Sequence, residues 1–197
     1  MNNKFADETR SNLLKSAMNV LISKGYTATR LEDIAIEAGV TRGAISYHFK
    51  NKLNIYNEAL KIYIPGLFED FNAVVKSDLN STDKIQKLLH WLLDSERIHI
   101  VQMLQQLLRG EFKEQAPELH NYVKEIIINC IDLTEAIILE GIDSSEFRND
   151  VNPKASAFIF NNAVVGIIDN LDLTANYIAK EVMINQFLEI FLEGIKN

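Results

Sequence analysis

A short stretch beginning at Thr41 combines residue types that can recognise nucleic acid. Thr41 is a favourable N-cap residue, and Ile45 and Phe49, four positions apart, give the next helix one narrow apolar face. Base edges in a DNA major groove are read by short polar groups and arginine, and phosphates are held by hydroxyls and lysine. At about 100° per residue, the side opposite the apolar face carries Gly43, Ser46, Tyr47 and Lys50, with Arg42 at the exposed helix start. The pattern predicts a DNA-reading helix; an ordinary two-helix turn is the alternative.

The residues before this stretch predict a companion helix that packs against a core. Thr29 and Glu32 have the spacing of a capping box, so the companion helix should begin near Arg30. Gly39 is placed to end it, because glycine adopts the left-handed conformation of a helix C-terminus without a steric penalty. Apolar residues recur between these ends at helical spacing, at Leu31, Ile34, Ala35 and Ala38. The two helices together form a helix-turn-helix pattern.

A single residue pair suggests metal chemistry. Glu96 and His99 have the Glu-x-x-His spacing that places two ligands on one helix face, but a di-iron bundle needs two such pairs and two further glutamates. No other histidine follows a glutamate at that spacing, and no glycine-rich phosphate loop, HExxH motif or plausible Ser-His-Asp set occurs. We expect no enzyme activity, no catalytic or metal-binding residue and no cofactor, and a helical metal-dependent enzyme is the alternative.

The composition predicts an all-α protein with one basic end. The 197 residues are 47% hydrophobic, enough to fill a core, and only three prolines and eight glycines interrupt long periodic segments. The net charge is −7, yet residues 1–64 hold nine basic and six acidic side chains, so the remainder carries −10. A mildly basic head on an acidic body would approach DNA with one end only.

The sequence contains no signal for a membrane. No apolar run reaches the roughly 18 residues of a membrane span, and the first residues lack the apolar stretch of a signal peptide. Cys130 is the only cysteine, which excludes an intramolecular disulfide and a cysteine-based metal site. We expect a cytoplasmic protein in which Cys130 is a small buried hydrophobe.

Two further helices should flank the helix-turn-helix. An amphipathic helix is predicted from Asp7 to Lys24, with Gly25 as its stop, and it completes a three-helix head. Another helix should begin at Lys52. Because a proline removes one backbone donor and clashes with the preceding turn, Pro65-Gly66 predicts a kink or break, and hence a hinge between head and body.

The middle of the chain should contain two more helical segments. We expect a break near Asp94-Ser95, because a continuous helix would turn Glu96 and His99 inward; that inward placement is the alternative. Residues 110–118 are predicted to be a loop. Pro117 suits the first turn of the following helix, which should extend to about Glu140.

The last two helices have more apolar surface than one chain easily covers. Apolar residues surround nearly the whole circumference from Lys154 to Leu171, which predicts a helix buried on all sides after Pro153, and Gly166 within it predicts a close helix approach. The final helix is predicted from about Ala175 to Ile195. We expect these two helices to form a four-helix dimer interface, with an ordinary monomer core as the alternative.

Large side chains on the middle helices are candidates for a ligand pocket. Such sites combine apolar walls with a few polar anchors, and aromatic walls favour an apolar or aromatic ligand. The candidate walls are Phe68, Phe71, Trp91, Met103, Leu107, Phe112 and Tyr122. The candidate anchors are His99, Asn162 and Asp169. Ordinary core packing is the alternative for each residue.

The head resembles the tetracycline-repressor (TetR/AcrR) family of bacterial regulators over about residues 9–62. The resemblance implies a head at 1–50, an effector-binding and dimerisation body at 51–197, and about nine helices in all. The body resembles the family only in helix count and in the interruption before its last two helices. The matching residues of the head are Arg10, Ala17, Gly25-Tyr26-Thr27-Ala28-Thr29, Asp33-Ile34-Ala35, Ala38-Gly39-Val40-Thr41-Arg42-Gly43-Ala44-Ile45 and Tyr47-His48-Phe49-Lys50-Asn51-Lys52-Leu53.

This resemblance implies a homodimer that represses transcription from a palindromic operator and binds a small molecule in its body. By position, Thr29 and Arg30 would contact the DNA backbone at the start of the first helix of the pair, and His48 and Lys52 would hold phosphates. The residues implied to face DNA are Thr41, Arg42, Gly43 and Tyr47. Activation of transcription, or control by a protein partner, is the alternative.

Two positions depart from the pattern of the family. Ser46 stands where an aromatic residue, usually Tyr, is common, which affects the base preference but not the mode of docking. Asn54 replaces a frequent acidic residue in the first turn of its helix, where we expect only a small loss of dipole stabilisation.

Overall fold

A computed structural model describes the backbone of residues 2–174 and 176–197 and the side chains of residues 6–109, 112–173 and 176–197. Within the described residues it contains ten α-helices and no strand, so the predicted all-α fold is confirmed. The helices are α1 (Asn2–Ala28), α2 (Leu31–Ala38), α3 (Arg42–His48), α4 (Lys52–Val75), α5 (Ser81–Leu92), α6 (Ser95–Leu108), α7 (Gly110–Gln115), α8 (Pro117–Asp143), α9 (Pro153–Thr174) and α10 (Lys180–Ile195). The count exceeds the predicted nine because α7 occupies the stretch that we expected to be a loop.

One compact unit, unit 1, comprises the residues up to Glu69 together with Met103–Asn121. The amphipathic character predicted for α1 is confirmed, since Leu13, Ala17 and Leu21, which share one side of the helix, are fully buried. The helix is interrupted at Gly25, whose φ of 71° lies in the left-handed region, and one more helical turn follows it. Glycine is required there because other residues adopt this conformation only with strain.

The turn between α2 and α3 forms as predicted. Gly39 ends α2 in the left-handed conformation, with φ 65° and ψ 30°. Thr41 is the N-cap of α3, and its Oγ1 accepts a hydrogen bond of 3.3 Å from the backbone N–H of Ala44. Ile45 and Phe49 turn inward and are buried. The short helix α3 is therefore fixed by one cap and two apolar anchors.

The predicted capping box of Thr29 and Glu32 is wrong. Thr29 is only 2% exposed, and its hydroxyl donates to the carbonyl oxygen of Gly25 at 2.7 Å. The carboxylate that accepts from the backbone N–H of Arg30, at 2.8 Å, is that of Asp33. A hydrogen bond from Lys24, at 2.8 Å, also lowers the pKa of Asp33. The interruption of α1 at Gly25 leaves a carbonyl within reach of Thr29, which is why this hydroxyl caps nothing.

Of the kink or break expected at Pro65-Gly66, the break does not occur, because α4 continues through Pro65 without interruption. A proline inside a helix removes one hydrogen bond, and the continuous apolar face of α4 compensates for it. Ile55, Ala59, Leu60 and Ile64 are all buried on this face.

A second compact unit, unit 2, comprises Asp70–Gln102 and Tyr122–Asn197. The predicted break near Asp94-Ser95 is confirmed, since α5 ends at Leu92 and α6 begins at Ser95. Pro117 begins α8 and Pro153 begins α9, as expected. The core draws on α5, α8, α9 and α10, with Leu88, Leu89, Ile137, Ile138, Phe160, Val164, Ile168 and Leu188 among its buried residues.

Charged side chains join the helices of unit 2. The carboxylate of Glu146 accepts hydrogen bonds from the backbone N–H groups of Ser81 and Thr82, at 2.9 and 2.8 Å, and so caps the start of α5. Burial would raise the pKa of Glu146, but the hydrogen bonds from Thr82 and Ser81 outweigh it and the pKa is lowered. Lys84 is buried and pairs with Glu140 at 2.7 Å. Such pairing is required because an unpaired buried charge is strongly destabilising.

The helix α9 is not buried on all sides within one chain, which corrects the expectation. Phe160 is fully buried, whereas Phe158 and Ile159 are 56% and 59% exposed. No described atom lies within 4 Å of a Cβ built on Gly166, so the close approach predicted there is not made within the chain. The expected start of the last helix, Ala175, lies outside the described residues, and α10 begins at Lys180.

Candidate nucleic-acid interface

The outer face of α3 is open to solvent. Tyr47 is 80% exposed, whereas Ile45 on the opposite side is fully buried. The ring of Tyr47 meets the ring of His48 edge-on, with centroids 4.9 Å apart, and this contact holds the aromatic ring without covering it. The other predicted DNA-facing residues that are exposed are Arg30, Thr41, Arg42, Gly43, Ser46 and Lys50. The structure thus brings most of the predicted surface together on one unit.

Two polar groups on this face are partly engaged within the chain. The hydroxyl of Ser46 donates to the carbonyl oxygen of Arg42 at 3.4 Å, a long bond that leaves its acceptor capacity unused. The guanidinium of Arg42 pairs with the carboxylate of Glu32 on α2 at 2.5 Å, and both side chains are largely exposed. An exposed ion pair contributes little to stability, so phosphate can displace Glu32 at low cost.

Thr29 lies elsewhere than its predicted role requires, and Lys52 is half-buried and partly engaged within the chain. The hydroxyl of Thr29 is buried against the backbone of Gly25, as described above, and is not available to DNA. The ammonium of Lys52 donates to the carbonyl oxygens of Tyr26 and Thr29, at 2.7 and 2.9 Å, and lies 4.2 Å from the centroid of the Tyr26 ring. Its partial burial lowers the pKa of Lys52. Sequence reasoning missed this arrangement because the acceptors lie 23 and 26 residues away.

The predicted pocket residues divide between the two units. Phe68, Met103, Leu107 and Phe112 belong to unit 1, and Phe71, Trp91, His99, Tyr122 and Asn162 belong to unit 2. His99 and Asn162 are exposed, as are Glu96 and Asp169, so these polar groups face solvent rather than a core. The amide of Asn162 donates to the carbonyl oxygen of its own helix at Phe158, at 2.8 Å. The expectation that His99 and Asn162 anchor a ligand inside the body is therefore not met in this chain.

An aromatic and cationic cluster in unit 2 was only partly foreseen. Phe71 is buried and meets Trp91 edge-on, with centroids 5.5 Å apart. The guanidinium carbon of Arg97, a residue the sequence did not single out, lies 4.5 Å from the centroid of the Trp91 ring. Arg97 also pairs with Asp70 at 3.0 Å. Among the described residues, the indole Nε1 of Trp91 and the Nε of Arg97 are buried donors with no hydrogen-bond acceptor.

A groove of about 290 Å³ lies in unit 1, lined by Leu53 and Asn57 of α4 and by residues 116–119 at the start of α8. None of the predicted pocket residues lines it. Over the part of the chain that the structure describes, no cluster of three or more His, Cys, Asp or Glu residues is arranged to hold a metal ion. None of the described helices has the length and apolar character needed to span a bilayer.

Comparison with known proteins assigns the chain to a family. Residues 13–59 match the model of bacterial regulatory proteins of the tetR family, and residues 68–197 match that of the C-terminal region of QacR-like proteins. The HTH-type transcriptional repressor KstR2 of Rhodococcus jostii is 25% identical over 187 residues, which are 94% of this chain and 90% of that protein.

Two solved structures show the same fold. A TetR-family transcriptional regulator from Cytophaga hutchinsonii superimposes with a TM-score of 0.80 at 23% identity, covering 97% of this chain and 96% of that one. The regulator FadR from Bacillus subtilis, solved with stearoyl-CoA, gives a TM-score of 0.74 at 21% identity, covering 94% of this chain and 98% of the other. The segment that contains α3 and the rest of the chain both match models of this family. The chain therefore belongs to the TetR family of DNA-binding transcriptional regulators.

Proposed function

We propose that the protein is a homodimeric repressor that binds a palindromic operator through α3 and leaves it when a small apolar or aromatic molecule binds the helical body. The DNA-reading head is assigned to residues 1–50 and the effector-binding and dimerisation part to residues 51–197. The observation that carries the proposal is the outer face of α3, where Arg42, Ser46 and Tyr47 are exposed beside a buried Ile45. Such a face offers donors to phosphates and base edges without loss of core packing.

DNA binding is tested by gel shift with a duplex from the gene's own promoter. Arg42→Ala should weaken binding about tenfold and make the plot of log affinity against log salt shallower by about 0.9 per head, because one phosphate contact per head is lost. Lys87→Ala, at an exposed lysine of α5, is the matched control and should change neither quantity. Equal behaviour of the two variants would refute the role of α3.

Exposed apolar residues support dimerisation through α9 and α10. Phe158 and Ile159 on α9, and Val182 and Ile190 on α10, are each more than half exposed. Apolar exposure of this kind on regular helices is typical of protein interfaces. Two heads related by a two-fold axis would then read half-sites about one helical turn, roughly 34–36 Å, apart. Sedimentation of the purified protein measures the dimer, and a monomer at micromolar concentration would refute it.

The class of effector is inferred from the cluster around Trp91. Its aromatic rings offer an apolar wall, and the Nε groups of Trp91 and Arg97 lack acceptors. A buried donor without an acceptor costs about 1–3 kcal/mol, so a ligand carbonyl beside an apolar chain would be favoured there. The relative solved in complex with stearoyl-CoA binds a molecule of that chemistry.

Stearoyl-CoA is therefore the first probe, with free coenzyme A as its control. We expect stearoyl-CoA to release the operator duplex and to change the fluorescence of Trp91, the only tryptophan. Arg97→Met should weaken this response about tenfold, the effect of one lost hydrogen bond from a charged group, while Lys87→Met should not. If no acyl or aromatic compound releases the duplex, control by a protein partner becomes the better hypothesis. Reduced reporter expression on deletion of the gene would instead identify an activator.

A further inference from the structure

Two main-chain carbonyl groups that precede α2 accept hydrogen bonds from a lysine that follows α3 in the sequence. Lys52, the first residue of α4, donates to the carbonyl oxygens of Tyr26 and Thr29. The two helices of the pair, α2 and α3, lie in sequence between Thr29 and Lys52. The bond from Lys52 to Thr29 therefore closes a ring at the base of the helix pair, and it fixes both ends of the segment that carries the DNA-reading face.

The ring of Tyr26 is the second part of this arrangement. It receives the Lys52 ammonium at 4.2 Å from its centroid, a cation–π geometry. It meets Phe112 of α7 edge-on, with centroids 4.9 Å apart and planes at 84°, and Tyr56 of α4 at 5.5 Å. Phe112 and Tyr56 are both buried. Tyr26 is thus held on three sides by groups from α4 and α7.

A contact from α6 reaches the same point of the chain. Gly25, the residue before Tyr26, has a left-handed φ of 71°, and a Cβ there would collide with the side-chain amide of Gln106. The segment Met103–Asn121, which contains Gln106 and Phe112, folds together with the head in unit 1. The interruption near the end of α1 therefore lies against that segment at two successive residues, Gly25 and Tyr26.

We propose that Lys52 and Tyr26 are positioning residues, which orient the DNA-reading helix pair and tie it, through Phe112, to the segment Met103–Asn121. In this proposal the role of Lys52 is to bind the carbonyl oxygens of Tyr26 and Thr29, and not to contact a phosphate. This assignment rests on the proposed DNA-binding role of α3 and adds its regulation: the head follows the position of α7. Small changes of orientation matter because specific recognition requires several base contacts at once, whereas non-specific binding requires only charge.

The test compares two quantities on the same protein preparation. One is the salt dependence of binding, to which each phosphate contact contributes about 0.9 in the slope of log affinity against log salt. The other is the ratio of affinities for the operator duplex and a scrambled duplex of equal length. A loss of stability lowers the active fraction for both duplexes equally and leaves the ratio unchanged, so the ratio reports positioning.

Three variants separate the possible roles. Lys52→Met should lower the ratio about tenfold, the size of one lost base-pair contact, with little change of slope. Tyr26→Leu retains every charge and should lower the ratio similarly. Phe112→Leu changes a buried side chain of α7 that cannot touch DNA, and it should lower the ratio by a smaller factor, about threefold on the same scale.

Lys50→Met is the matched control, because Lys50 is an exposed lysine two residues from Lys52. It should make the slope shallower by about 0.9 per head and leave the ratio unchanged. The proposal is overturned if Lys52→Met behaves like Lys50→Met, which would assign it to phosphate, or if the ratio stays constant in all three variants, which would assign the cluster to stability alone. The weaker operator binding expected for Arg42→Ala is independent of either result, so the two proposals fail separately.

Discussion

The helices α3 and α9 both bury one face and leave the other uncovered, but the uncovered faces differ in chemistry. On α3 the exposed groups are an arginine, a serine and a tyrosine, and on α9 they include Phe158 and Ile159. A polar face loses little by staying in water until a polyanion replaces it, whereas an apolar face is stabilised only when another surface removes it from water. We therefore expect α3 to bind and release DNA reversibly, and α9 to remain paired with a second chain.

The buried side of α3 provides the largest expected effect on stability. Ile45 is fully buried, and α3 has only seven residues, too few to be stable without packing. Ile45→Ala should lower the free energy of unfolding by about 2–5 kcal/mol, measured by urea titration. Ser46→Ala, on the outer side of the same helix, should stay within about 0.5 kcal/mol of wild type. Similar values for the two variants would mean that α3 has no inner side.

The apolar face of α9 is tested by placing a charge on it. Phe158→Asp should raise the dissociation constant of the dimer at least a hundredfold, about 3 kcal/mol, because the carboxylate would be desolvated without a partner. Ile128→Asp on α8 replaces an apolar side chain that is also exposed, and it should leave the dimer intact. Sedimentation velocity distinguishes the two results, and a dimer that survives Phe158→Asp would place the interface elsewhere.

The smallest effect comes from a glycine on each of these helices. A Cβ on Gly43 would meet only the hydroxyl oxygen of Thr41, at an ordinary 3.6 Å, and one on Gly166 would meet no described atom within 4 Å. Alanine at either position should raise helix stability by about 0.5–1 kcal/mol. If DNA and a second chain approach these faces closely, Gly43→Ala should weaken operator binding and Gly166→Ala should weaken the dimer. Stabilisation with both assemblies unaffected would show that neither glycine lies at a contact.

The sequence predicted α3 well because its determinants are local. The cap at Thr41, the left-handed Gly39 and the inward Ile45 all act within ten residues, and each is found as expected. The prediction of a capping box at Thr29 was wrong for a reason that is also local. The Thr29 hydroxyl donates instead to the carbonyl oxygen of Gly25, four residues earlier. Local patterns are reliable only when no neighbouring backbone group offers a better bond.

The roles of Lys52 and Glu146 could not be predicted, because their partners are distant in sequence. Lys52 donates to a carbonyl 26 residues earlier, and Glu146 accepts from an amide 65 residues earlier. The exposed side of α9 was missed for a related reason. Periodicity shows that a helix is apolar on all sides, but it does not show which of those sides the same chain covers.

The order of the two units along the chain has a consequence for synthesis. Every residue of unit 1 precedes Tyr122, whereas unit 2 includes Phe147, which pairs with Lys196, and Arg148, whose N–H donates to the carbonyl oxygen of Ile195. Because a growing chain emerges residue by residue and domains fold as units, the DNA-reading unit can fold 76 residues before unit 2, which runs from Asp70 to Asn197 with a gap, is complete. The order of the units therefore allows the head to fold during synthesis, before the proposed dimer surface on α9 and α10 is complete.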